Sequence, residues 1–183
     1  MNIHNYNKII LVGSSGSGKS WFAKRIAELT NYPLYHLDVE FWQPNWVMPP
    51  KEWRIARQQE MIIGEQWIIE GNYNSTMELR YVAADLVIFM DINRWVCMWA
   101  AARRTGKKRS DLPEYLEESS PFSKEFLAFC KWIWQYPKDG RKTVMDLYGK
   151  YPNTAFLQVQ SRREVRKWLS KWEIQPPTPK RSD

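Results

Sequence analysis

The chain has 183 residues, 44% of them hydrophobic and 26% charged, with a net charge of +7 and a pI near 9.4. This is the size and composition of one globular domain with a substantial core, and no run of about 18 uncharged apolar residues marks a membrane span. The N-terminal Met1-Asn2-Ile3-His4-Asn5 lacks the apolar centre of a signal peptide. Cys97 and Cys130 lie far apart without C-x-x-C spacing, so free thiols in a cytoplasmic protein are expected rather than zinc ligands or a disulfide.

The first expected strand, 8–12 (Lys-Ile-Ile-Leu-Val), runs into Gly13-Ser14-Ser15-Gly16-Ser17-Gly18-Lys19-Ser20, which is followed by an amphipathic helix with Phe22, Ile26 and Leu29 on one face. Strand, G-x-x-x-x-G-K-[ST] and helix together form a phosphate-binding loop. Its glycines let the backbone N–H groups face phosphates, and the helix N-terminus adds its dipole. Lys19 can reach the β- and γ-phosphates and the Ser20 hydroxyl can ligate Mg²⁺, so ATP and Mg²⁺ are the expected cofactors. Trp21 is bulky for a helix start and is expected beneath the nucleotide or in the core.

Further short apolar strands are expected at 34–38, 67–70, 86–90 and 155–159, with helix-length segments between them. That alternation predicts an α/β fold with a parallel sheet. The strands place Asp38, Glu70 and Asp91 at or just past their C-terminal ends, on the same edge as the phosphate loop. Any of the three can hold Mg²⁺ through water or take an acceptor proton, and each can equally be a cap or a structural hydrogen-bond partner.

Phe41-Trp42-Gln43-Pro44-Asn45-Trp46 is too aromatic for a solvent loop. It can wall a pocket that stacks a ring, or pack on the next helix. That helix, 51–66 after Pro49-Pro50, is expected to bury Ile55, Ala56, Ile62 and Ile63. A helix at 92–104 should bury a stripe of Ile92, Trp95, Val96, Trp99 and Ala100. Arg103 and Arg104 at its end, and Arg109 beyond, are candidates for holding the transferring phosphoryl group, because arginine forks supply fixed charge to phosphoryl oxygens. Lys107 and Lys108 read as solvated surface. Residues 105–120 are charged and lack a core pattern, as a lid does. Ser161-Arg162-Arg163-Glu164 is a capping box opening a last helix with Val165, Trp168, Leu169 and Trp172 inward. The expected organisation is a single domain over 1–175, with an acceptor-side insert at about 39–66 and a disordered tail at 176–183.

These blocks resemble a known family. The phosphate loop, Leu37-Asp38 with Phe41-Trp42 and Asn45-Trp46, Trp67-Ile68-Ile69-Glu70-Gly71-Asn72-Tyr73, Glu78-Leu79-Arg80, Ala84-Asp85 and Lys131-Trp132-Ile133-Trp134 are similar to the bacterial adenylate-kinase-like P-loop proteins labelled "DNA topology modulation protein". The resemblance implies a three-layer α/β/α fold with a five-stranded parallel sheet ordered 2-3-1-4-5, as in the nucleoside monophosphate, shikimate and gluconate kinases. It implies that Gly13 to Ser20 bind ATP and Mg²⁺ and that Asp38, Glu70, Gly71, Asn72 and Tyr73 serve the acceptor. Arg103 and Arg104 would lie near the nucleotide, Arg109 in the lid, and Arg162 beside the adenine. Adenylate kinases carry Asp-Gly-Phe-Pro-Arg where this chain has Glu70-Gly71-Asn72-Tyr73-Asn74, so Arg80 is the candidate substitute for the missing arginine.

The functional expectation is a kinase that transfers the γ-phosphoryl of ATP to a small-molecule acceptor, in a monomer or homodimer. The alternative is a nucleotide-binding regulator or ATPase switch that contacts DNA through the positive charge. No helix-turn-helix, zinc finger or basic helix is present to read DNA, so nucleic acid is not the expected partner.

Overall fold

In the computed structural model, which describes residues 1–104 and 123–175, five parallel strands form one sheet in the order β2-β3-β1-β4-β5. The strands are β1 (Lys8–Gly13), β2 (Leu34–His36), β3 (Trp67–Glu70), β4 (Leu86–Met90) and β5 (Ala155–Val159). The expected lid with Arg109 and the expected tail lie outside the described residues. Parallel strands must be joined by crossovers that cover both faces, and β1 shows the consequence. Ile9 and Leu11 enter one core with Phe22, Ile26 and Trp172. Ile10 and Val12 enter the other with Leu37, Met77 and Tyr81. The result is the expected three-layer α/β/α arrangement.

Helices α1 (Lys19–Thr30) and α2 (Leu37–Phe41) follow β1 and β2, and α3 (Lys51–Ile62) precedes β3. α4 (Met77–Ala83) and α5 (Arg94–Ala102) flank β4, and α6 (Lys124–Gln135), α7 (Gly140–Lys150) and α8 (Arg162–Ile174) complete the described chain. α8 starts at its expected N-cap, where Ser161 accepts from the Glu164 N–H at 3.2 Å, while the Glu164 carboxylate accepts from the N–H of Gln160, one residue before the cap, at 3.0 Å.

Three expectations are corrected. β2 stops at His36, and Asp38 lies in the first turn of α2 instead of at a strand end. α3 ends at Ile62 and turns Gln58 and Met61 inward, leaving Ile63 81% exposed. A polar residue takes the inner position because Gln58 has a buried partner in Arg80, 2.9 Å away. α5 buries Cys97 and Ala101, while Trp95 and Trp99 are more than half exposed. Here the phosphate loop sets the face: a Cβ on Gly16 would lie 2.2 Å from the Cys97 carbonyl oxygen. Backbones that close admit only small residues between them. The large rings lie outside, Trp95 edge-on to Trp134 of α6 and Trp99 beneath Arg103.

Candidate active site

The phosphate loop is built from main chain. Gly16 and Gly18 take φ of +79° and +94°, values that L side chains rarely adopt. Ser17 N–H donates to the Ser14 carbonyl at 3.2 Å, which closes the turn, and Gly18 caps α1. The Ser17 hydroxyl is buried without a hydrogen-bond partner, a polar atom of the kind a nucleotide phosphate would satisfy.

Behind the loop, Lys19 Nζ donates to the Ser14 carbonyl at 3.2 Å and lies 3.6 Å from Glu70 Oε1. Glu70, buried at the end of β3, also accepts from the Ser20 hydroxyl at 3.2 Å, and His36 Nδ1 lies 3.0 Å from the same carboxylate oxygen. Burial pushes the Glu70 carboxyl upward. The His36 hydrogen bond, the Lys19 charge and the Ser20 hydroxyl outweigh it and hold the carboxyl below its ordinary range. His36 is a site residue that sequence reasoning passed over. Only the β2–β3 register, which sets His36 beside Glu70, brings it in.

Among the described residues no group of three His, Cys, Asp or Glu could hold a metal. The Ser20 hydroxyl and Glu70 carboxylate nonetheless fit Mg²⁺, which takes one or two hard oxygen ligands from protein and the rest from phosphate and water.

The turn after β3 ties the loop to Asp38. The Asn72 side-chain oxygen accepts from Gly13 N–H at 2.9 Å, and Gly71 N–H donates to the Leu11 carbonyl at 3.2 Å. The Tyr73 hydroxyl donates to Asp38 at 2.8 Å. Burial, then the Asp38 charge, raises the Tyr73 pKa far above the usual phenol range, so the hydroxyl keeps its proton. Arg80 is fully buried beneath this turn, donating to the carbonyls of Gly71, at 2.8 Å, and Asn72. Burial pulls its pKa down to about 9. The expected substitute arginine therefore braces the turn and does not line the cavity.

That cavity, about 750 Å³, joins the two halves. Ser15, Lys19 and Arg104 line it on the phosphate-loop side, and Asp38, Trp42 and Trp46 on the opposite side, with Gly71, Asn72 and Tyr73 between them. Arg104 reaches the Ser15 hydroxyl at 3.5 Å. Arg103, by contrast, is exposed with its guanidinium 4.6 Å above the Trp99 ring. α6 adds Phe126, Phe129 and Trp132 to the lining, a wall that sequence reasoning missed. Its signal was Ser123, which caps α6 by accepting from Phe126 N–H at 3.0 Å, followed by aromatics at three-residue spacing. Asp91, the third carboxylate candidate, is 3.2 Å from Arg141 and 2.7 Å from Gln158, a structural tie between β4, β5 and α7.

A second cleft of about 310 Å³ runs past Ser17 and Gly18 to Met90 and Arg162. It brings Arg162 beside the phosphate loop. Trp21, expected beneath the nucleotide or in the core, is 55% exposed at this cleft and so is not a core residue.

Sheet order, loop and cavity together define an α/β P-loop protein with a kinase-type fold. The chain is similar to the structure of shikimate kinase from Acinetobacter baumannii in complex with shikimate, with a TM-score of 0.57, 14% identity and 92% of each chain covered. Identity this low establishes the fold alone. No protein-family model and no curated protein matches the chain.

Proposed function

We propose that the protein is a P-loop phosphotransferase that moves the γ-phosphoryl group of ATP–Mg²⁺ to the hydroxyl of a small acceptor. One observation carries this reading: a single cavity is lined by Lys19 and Arg104 beside the phosphate loop and by Asp38 and the 42–46 aromatic loop. Donor and acceptor walls that share one space are what in-line transfer needs.

In this reading the acceptor oxygen attacks the γ-phosphorus and the bond to the β,γ-bridging oxygen breaks, releasing ADP. The hydroxyl proton passes to the Asp38 carboxylate, which Tyr73 orients. Lys19 and Arg104 stabilise charge on the transferring group. Ser20 and, through water, Glu70 would hold Mg²⁺, which would supply charge neutralisation for the phosphates. Glu70 would also keep Lys19 and Ser20 in place. Arg109, in the segment that resembles a lid, is proposed to complete the cationic side. Arg162 is proposed to flank the base, and Arg103 to contribute only at the rim. The assignment to the "DNA topology modulation protein" group rests on the sequence blocks alone.

Acceptor-stimulated ADP release across nucleosides, nucleotides, sugars and polyols tests the proposal. At least one acceptor should raise the rate above the basal ATPase, and Lys19→Ala should lose that stimulation by about 10²–10³-fold with its circular dichroism unchanged. Full turnover in Lys19→Ala would refute the mechanism.

A further inference from the structure

We infer that the acceptor half of the cavity takes an uncharged molecule that joins a planar ring to a hydroxyl-bearing sugar, a nucleoside in preference to a nucleotide or a carboxylated ring acid. This rests on the phosphotransferase reading and narrows it to a substrate class.

The first observation is the wall. Trp42 and Trp46 meet edge to face, centroids 5.4 Å apart at 71°, and α6 brings Phe129 stacked on Trp132, 6.2 Å apart at 7°. All four rings line the cavity. Flat rings bind aromatic walls by stacking, whereas a saturated polyol gains little from them.

The second observation is backbone strain. The non-glycine residues with positive φ among the described residues are Asn31, Asn45, Trp46 and Tyr73. Asn31 is simply the C-cap of α1. The other three border this one cavity. A left-handed conformation is unfavourable for a tryptophan or tyrosine, because the Cβ crowds the following carbonyl oxygen. Such strain persists where the surrounding structure holds a side chain for function, and here it aims two aromatic rings at one space.

The third observation is charge. Among the described lining residues the cations are Lys19 and Arg104, both at the phosphate-loop side. The remaining charged groups are the carboxylates of Asp38 and Glu125. Arg80, which could have formed a fork for an anion, is committed to the Gly71 and Asn72 carbonyls. Among the described lining residues, the acceptor side carries no arginine to fork a phosphate or carboxylate. The carboxylates and the side chains of Asn45, Asn72 and Asn74 instead suit hydroxyl and ring N–H groups.

Titration calorimetry on the full chain tests this, with the donor site filled by a non-hydrolysable ATP analogue and Mg²⁺. The probes are uridine, thymidine, cytidine and guanosine, their 5′-monophosphates, and shikimate. At least one nucleoside should bind at least ten-fold tighter than its monophosphate, and shikimate should not bind. Trp46→Ala should weaken that nucleoside at least ten-fold and Trp46→Phe should retain it, both with unchanged affinity for the ATP analogue. A monophosphate or shikimate binding tighter than every nucleoside overturns the inference. So does the absence of nucleoside binding, or a nucleoside affinity that Trp46→Ala leaves unchanged. ADP release measured in parallel separates the two claims. Nucleoside binding without phosphoryl transfer upholds the subsite and refutes the kinase reading; transfer only to charged acceptors does the reverse.

Discussion

Residues 13–20 build their half of the cavity from main chain, whereas Asp38, the 42–46 loop, the 70–73 turn and α6 build theirs from side chains. The loop puts glycine where φ is positive, at Gly16 and Gly18. The acceptor wall puts Asn45, Trp46 and Tyr73 in that same region of conformational space. On the proposed function, the difference follows from what each half would bind. Phosphate oxygens are satisfied by backbone N–H groups, which every residue carries, so the loop needs only a chain path that glycine can follow. A particular acceptor must be told from others by ring faces and carboxylates, so strain is accepted there to aim bulky groups. The joint between the halves is narrow: Asn72 on Gly13, and Arg80 beneath both Gly71 and Asn72.

The largest stability effect should come from that joint. Arg80→Leu takes the donor away from the Gln58 side-chain oxygen and from two carbonyls beneath the turn, and should cost about 3 kcal/mol in urea unfolding. A variant of native stability with only a raised acceptor KM would return Arg80 to the acceptor site. Gly16→Ala should be next. Its Cβ meets the Cys97 carbonyl at 2.2 Å with φ at +79°, so a loss of about 1–3 kcal/mol is expected, together with weakened ATP binding by calorimetry. Unaltered stability and nucleotide affinity there would mean that the loop and α5 are not packed as described.

Tyr73→Phe removes one hydrogen bond to a carboxylate, of the order of 1.5–3 kcal/mol. It should lower kcat/KM for the acceptor about ten-fold or more and leave ATP affinity alone. An effect on both substrates would blur the division between the two halves.

The smallest effect lies in acid. Glu70 ionises below its ordinary value of 4.5 in the folded chain, so below that value the unfolded chain binds more protons. Its stabilisation is complete above the ordinary value and is lost as pH falls through the lower folded one. Unfolding curves from neutral pH downward should show that acid limb, and Glu70→Gln should flatten it. An unchanged limb in the variant would assign it to other carboxylates.

The two halves also differ in how far they could be read from the chain. β1, the phosphate loop and the start of α1 stand in consecutive residues, and a local pattern names them completely. The other strands were legible because each is a short apolar run, although β2 ends two residues sooner than its pattern suggested. Helix faces were less legible. In α5 the pattern of large apolar residues pointed to Trp95 and Trp99, and hydrophobicity cannot reveal that a neighbouring backbone leaves room only for Cys97 and Ala101. His36 and Arg80 were misjudged for a related reason. His36 matters because β3 sets Glu70 beside it, and Arg80 is buried because Gln58 and two turned carbonyls await it.

What the sequence determined by itself is the phosphate loop, the α/β alternation and the carboxylates and aromatics available to a site, because each is a property of adjacent residues or of a simple period. Only the tertiary structure decided which of these meet. It placed Arg104 in the cavity and Arg103 on Trp99, turned Arg80 from a ligand candidate into a brace, and brought α6 to the wall beside Trp42 and Trp46. Those outcomes depend on contacts between residues far apart in the chain, where packing volume and hydrogen-bond satisfaction choose among side chains that local pattern leaves equivalent.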